Sequence, residues 1–118
     1  MTGIVFFRTS QREEIVDFYT GDLGFGEWLE QEGGCTILQR ENLLVGFCDA
    51  DESETEGIVT VVVEDRAAVD DLYDRLEARA QGPPERNDEF DIYQFFLDDP
   101  DGRSVEIQTF LHTTPSSP

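Results

Sequence analysis

Lysine is absent from this chain and histidine occurs once, at His112; all eight basic residues are arginines, set against 27 aspartates and glutamates. A nucleic-acid partner requires cationic side chains that neutralise phosphates, so a formal net charge of −19 excludes that class of function. One histidine, near the C-terminal end, also excludes the histidine-rich donor sets of zinc hydrolases and non-haem iron oxygenases. Cysteine is scarce too. Cys35 and Cys48 have no metal-like spacing and no basic neighbour in sequence to activate a thiolate. Both are expected to be free thiols, because a cytosolic environment keeps cysteines reduced. No apolar run approaches the ~20 residues of a membrane-spanning helix, and no basic segment followed by an apolar one opens the chain. The expectation is a soluble, cytoplasmic protein with no membrane partner.

What the chain has in excess is negative charge. Self-repulsion of this size opposes compaction in dilute buffer, but the Debye length falls to ~3 Å at 1 M salt, where most of the repulsion is screened. The composition therefore suits a halophile with a salt-filled cytoplasm. Thermal unfolding is expected to move upward between ~0.1 M and ~2 M KCl, and a melting temperature that stays flat or falls over that range would contradict this reading. With 118 residues, 38% apolar content and nine phenylalanines, the chain suffices for one domain with one core, without a disulfide or a metal.

The order of elements is readable. An apolar strand at Ile4-Val5-Phe6-Phe7 leads to a helix, where Ser10 and Glu13 have capping-box spacing and Ile15, Phe18 and Tyr19 form one apolar face ended by Gly21 and Gly24. Three strands follow, over 27–31, 35–40 and 43–48, with Gly33-Gly34 and Glu41-Asn42 as turns. The stretch 49–57 carries five acids among small residues without apolar periodicity and reads as a solvated linker. A calcium loop fails there on spacing and on the missing turn glycine. The order then repeats: a strand over 58–63, a helix from an Asp65 cap to Arg79 with Val69, Leu72, Tyr73 and Leu76 on one face, and strands ending at Leu111, including a short edge strand near 85–88. Ile4 and Ile58 lie 54 positions apart, as do Tyr19 and Tyr73 (58 − 4 and 73 − 19), so strand and helix keep one phase in both halves. The predicted organisation is a single domain over 1–118: a first module over about 3–50, an acidic linker over 51–56, a second module over about 57–112, and a tail over 113–118.

The most specific segment is Asp99-Pro100-Asp101-Gly102, a turn in which proline fixes φ and glycine accepts positive φ, between two alternating strands. On the second of these, Ser104, Glu106, Gln108 and Phe110 share one face and Val105, Ile107 and Leu111 the other. This hairpin, together with Phe18-Tyr19-Thr20-Gly21-Asp22-Leu23-Gly24-Phe25 upstream, resembles the vicinal oxygen chelate superfamily of glyoxalase I, bleomycin-resistance proteins and extradiol dioxygenases. The resemblance runs from about Gly3 to Phe110. It implies an α+β fold of two paired βαβββ modules forming a curved mixed sheet around a cavity, and a homodimer.

In metal-dependent members of that superfamily, four His, Gln or Glu side chains from the first and last strand of each module converge on a divalent ion. By resemblance those positions fall here on Ile4, at or near Gly46, on Ile58 and on Glu106, of which only Glu106 offers a donor. The expectation is a protein without a metal cofactor. The family's strand directions place Ile4, Phe6, Arg8, Leu44, Gly46, Cys48, Ile58, Thr60, Val62, Glu106, Gln108 and Phe110 on the concave face. A small, partly apolar organic molecule is the expected partner, bound by Arg8, Glu106 and Gln108 with Phe6 and Phe110 as apolar walls. No catalytic residue is assigned. A metal-dependent lyase or dioxygenase that uses Glu106, and a structural module that binds another protein, are the alternatives. Of Tyr93 and Gln94, one must lie near the cavity mouth, and Phe25 and Trp28 are expected to pack in the core.

Overall fold

The computed structural model describes residues 3–115; the end of the expected tail, 116–118, lies outside them. It separates into two compact units, Met1–Thr55 and Glu56–Pro118. In the first unit β1 (Ile4–Thr9), α1 (Arg12–Gly21), β2 (Gly26–Gln31), β3 (Cys35–Arg40) and β4 (Leu43–Asp49) form a four-stranded sheet of order β1-β4-β3-β2. In the second, β5 (Ile58–Val62), α2 (Arg66–Leu76), β6 (Glu85–Asn87), β7 (Ile92–Asp98) and β8 (Ser104–Phe110) form a sheet of order β5-β8-β7-β6. In each sheet the first and last strands of the unit run parallel and the other pairs antiparallel. Each unit is thus a βαβββ module, and the fold is α+β.

The helices lie where their apolar spacing directs them. Ile15, Phe18 and Tyr19 of α1 are buried, and α1 packs on β3 and β4. Tyr19 is the centre of that core, its ring 5.3 Å from Phe18, 5.5 Å from Phe25 and 5.0 Å from Phe47. Burying such aromatic side chains contributes on the order of 1.5–3 kcal/mol each. In the second unit α2 packs on β7 and β8, with Val69 and Leu76 buried and Tyr73 edge-on to Phe95. Asp65 caps α2 as expected, accepting from the Ala68 amide at 2.8 Å.

Three local expectations are corrected. The capping box at Ser10 does not form: α1 begins at Arg12 after Gln11, and the Ser10 hydroxyl is 3.2 Å from that of Ser53 instead. The acidic stretch after β4 is largely exposed and is tethered by backbone hydrogen bonds. Its backbone follows β1, with Ala50 donating to the Thr9 carbonyl and Glu54 to that of Arg8, and the Glu54 carboxylate accepts from the Arg8 amide at 2.8 Å. Trp28 is 52% exposed on the edge strand β2, all six residues of which are exposed, while Phe25 is in the core. Finally, Cys35 and Cys48 are not free thiols but a disulfide. Antiparallel pairing sets them directly opposite each other on β3 and β4, with Cα atoms 4.1 Å apart. Sequence spacing cannot show this register.

The Asp99–Gly102 turn is held from inside. Gly102 has φ +87° and its amide returns to the Asp99 carbonyl at 2.9 Å, as a proline-led turn requires. Beneath it Arg103 is fully buried, with Nη1 donating to the Asp99 carboxylate at 2.6 Å and Nη2 to Asp101 at 3.3 Å. Asp99 also accepts from the amides of Asp101 and Arg103. Every buried side-chain nitrogen and oxygen among the described residues has a partner.

Candidate functional site

The turn fixes where β8 begins, and thereby which side chains of β8 stand together. Pairing sets Ser104, Glu106, Gln108 and Phe110 opposite Asp98, Phe96, Gln94 and Ile92 of β7, and sets Thr60 of β5 beside Glu106. Directly paired residues point to one side of a sheet, so these share a face, while Val105, Ile107, Phe95 and Leu97 are buried on the opposite side, which carries α2. On the first face lies a cavity of about 470 Å3, lined in the second unit by Ile58, Ile92, Phe90, Phe96 and Phe110, and by Asn87, Gln94, Gln108 and Glu106. Its walls are apolar and its floor carries convergent polar groups, the usual make-up of a small-molecule site.

Glu106 is half-buried on that floor. The Thr60 hydroxyl donates to its Oε1 at 2.9 Å, whereas Oε2 has no hydrogen-bond partner among the described residues. The side-chain amides of Gln94 and Gln108 are likewise without described partners. Asn87 uses its oxygen locally, accepting from the amides of Glu89 and Phe90, which leaves its NH2 group as a donor. Between Tyr93 and Gln94, it is Gln94 that belongs to the cavity. Tyr93 is on the helix side, donating to Asp70 at 2.7 Å under the Arg66 guanidinium, and the bond to Asp70 raises its pKa above the ordinary phenol value.

Phe6 and Arg8 lie in the other unit. They share a face of the first sheet with Ile4, Leu44, Gly46 and Cys48, as the parallel register of β1 and β4 requires. Phe6 lies over Gly46, where any Cβ would collide with its ring. Arg8 is exposed, and no ion pair to it is found among the described residues. Phe6 and Thr60 are equivalent by the 54-residue phase, and each stands beside the last-strand position of its own module: Gly46 in one, Glu106 in the other. The first module thus fills with an aromatic ring the place where the second keeps a carboxylate.

The larger cavity of the first unit, about 820 Å3, is polar and already internally paired. Arg12 bridges Glu30 at 2.8 Å and Asp49 at 3.0 Å, and Thr36 donates to Glu30 at 2.7 Å. The Thr36 hydrogen bond, followed by the Arg12 charge, holds the Glu30 carboxyl below its ordinary range. With its cation committed to its own acids, this groove offers a ligand little.

A divalent ion at the superfamily positions does not fit the side chains present. Ile4, Gly46 and Ile58 carry no donor, and no group of three or more His, Cys, Asp or Glu that could hold a metal occurs among the described residues. His112 is exposed beyond β8, edge-on to Phe110 with ring centroids 5.5 Å apart. Among the described residues, no helix is long and apolar enough to cross a membrane.

No protein-family model and no curated protein sequence matches the chain. Solved structures do match. A glyoxalase/bleomycin resistance protein/dioxygenase from Nocardioides superposes with a TM-score of 0.75 at 19% identity, covering 99% of this chain and 88% of its own. A family enzyme of the same description from Burkholderia phytofirmans PsJN gives 0.80 at 20% identity, covering 92% and 97%. A lactoylglutathione lyase from Agrobacterium tumefaciens gives 0.75 at 18% identity, covering 92% of each chain.

Proposed function

We propose that this chain, which has the fold of the glyoxalase/bleomycin resistance/dioxygenase proteins, binds a small, partly apolar organic molecule without the help of a metal ion. The observation that carries the proposal is the cavity on the open face of the second sheet, where five apolar and aromatic walls surround one carboxylate with an unpartnered oxygen. Gln108 and Phe110 are its neighbours on β8 and complete the binding face. Phe6 and Arg8 stand on the first unit's own sheet and are not among the residues that line this cavity. The proposal also includes a homodimer and a salt-rich cytoplasmic setting, the latter supported by the net charge of −19.

Metal content separates this reading from a metal-dependent lyase or dioxygenase. Protein purified without chelators is expected to carry no stoichiometric Zn, Ni, Mn or Fe. About one equivalent per chain, lost on Glu106→Ala, would establish a metal centre and overturn the proposal.

A further inference from the structure

Resting on the binding reading above, we infer that the ligand of the second unit's cavity is cationic, an ammonium or amidinium group attached to an aromatic or otherwise apolar body. Of the residues that line the cavity, Glu106 alone is ionisable, so no arginine compensates it there. Thr60 engages only Oε1. A half-buried carboxylate with one oxygen open toward an apolar cavity is incompletely satisfied, and the group that completes it is a charged N–H donor. An anionic ligand would meet that carboxylate with repulsion strengthened by the partly desolvated walls. Phe90, Phe96 and Phe110 add ring faces and edges beside it. Aromatic faces attract a cation as well as an apolar body, so the walls and the floor select the same chemistry.

The test uses three probes of nearly one shape, benzylammonium, benzyl alcohol and benzoate, titrated calorimetrically into the intact protein. It is run at ~1 M KCl, where the Debye length of ~3 Å suppresses diffuse attraction of cations to the acidic surface. Benzylammonium is expected to bind roughly ten- to a hundredfold more tightly than either other probe, the worth of one charge-assisted hydrogen bond. Glu106→Gln, nearly isosteric, is expected to abolish that preference. The ranking in the unaltered protein stands whether or not the variant folds. Equal binding of all three probes, or a preference that survives in folded Glu106→Gln, would overturn the cationic assignment and leave the binding reading in place. Binding of none would overturn both.

Discussion

Replacement of Arg103 by alanine is expected to destabilise the protein by about 3–5 kcal/mol, the typical cost of removing one partner of a buried ion pair. That corresponds to a fall in melting temperature of roughly 10–20 °C for a domain of this size. The guanidinium is fully buried under the β7–β8 turn and is paired with two carboxylates, Asp99 and Asp101, which are themselves buried. Alanine leaves both charges inside without a cation, and Asp99 cannot turn away because it also accepts from the backbone amides of Asp101 and Arg103. The double variant Arg103→Met with Asp99→Asn removes the charge from both members of the shortest pair and keeps an acceptor for those amides. It is expected to be more stable than Arg103→Ala alone. A loss below about 1 kcal/mol for Arg103→Ala in denaturant unfolding would place the pair among surface-like interactions and contradict its burial.

The second large effect is expected on reduction. Cys35 and Cys48 are separated by 13 positions, and closing a loop of about that length restricts the unfolded chain by about 3 kcal/mol in the chain-entropy model. A reductant should therefore lower the urea midpoint of the wild type by an amount equivalent to about 2–3 kcal/mol. It should leave a Cys35→Ala/Cys48→Ala double variant unmoved. Two titratable thiols in freshly purified protein, with a midpoint indifferent to reductant, would restore the reading of free cysteines.

The parts of the fold visible in the sequence were those governed by local chemistry. The period-two alternation of 104–110, the proline and glycine of the turn, the Asp65 cap and the 54-residue phase between modules all reappear in the structure. What lay beyond reach depended on register and on burial. Nothing local distinguishes Arg103 from any charged residue after a turn, although the acids two and four positions before it were a signal. The cysteine pair depends on which β3 residue faces which β4 residue, a relation fixed by the whole hairpin. The membership of Gln94 and Phe96 in the cavity follows from the same kind of pairing, since parity alone leaves the face of β7 undecided. The face on which Glu106 stands is legible because its strand alternates cleanly, but its Thr60 partner on β5 is 46 residues away, too far for spacing to identify the bond.

If the second unit's cavity receives an organic molecule, ligand-induced stabilisation will report it. The melting temperature is followed in a panel of aromatic fragments for the wild type and for Phe110→Ala, a wall residue that is 42% exposed and so tolerates truncation. At least one fragment is expected to stabilise the wild type, by about 2.7 kcal/mol at a hundred times its Kd, and to stabilise Phe110→Ala measurably less. A panel that leaves the wild-type melting temperature unmoved, or that stabilises both proteins equally, would contradict binding in this cavity.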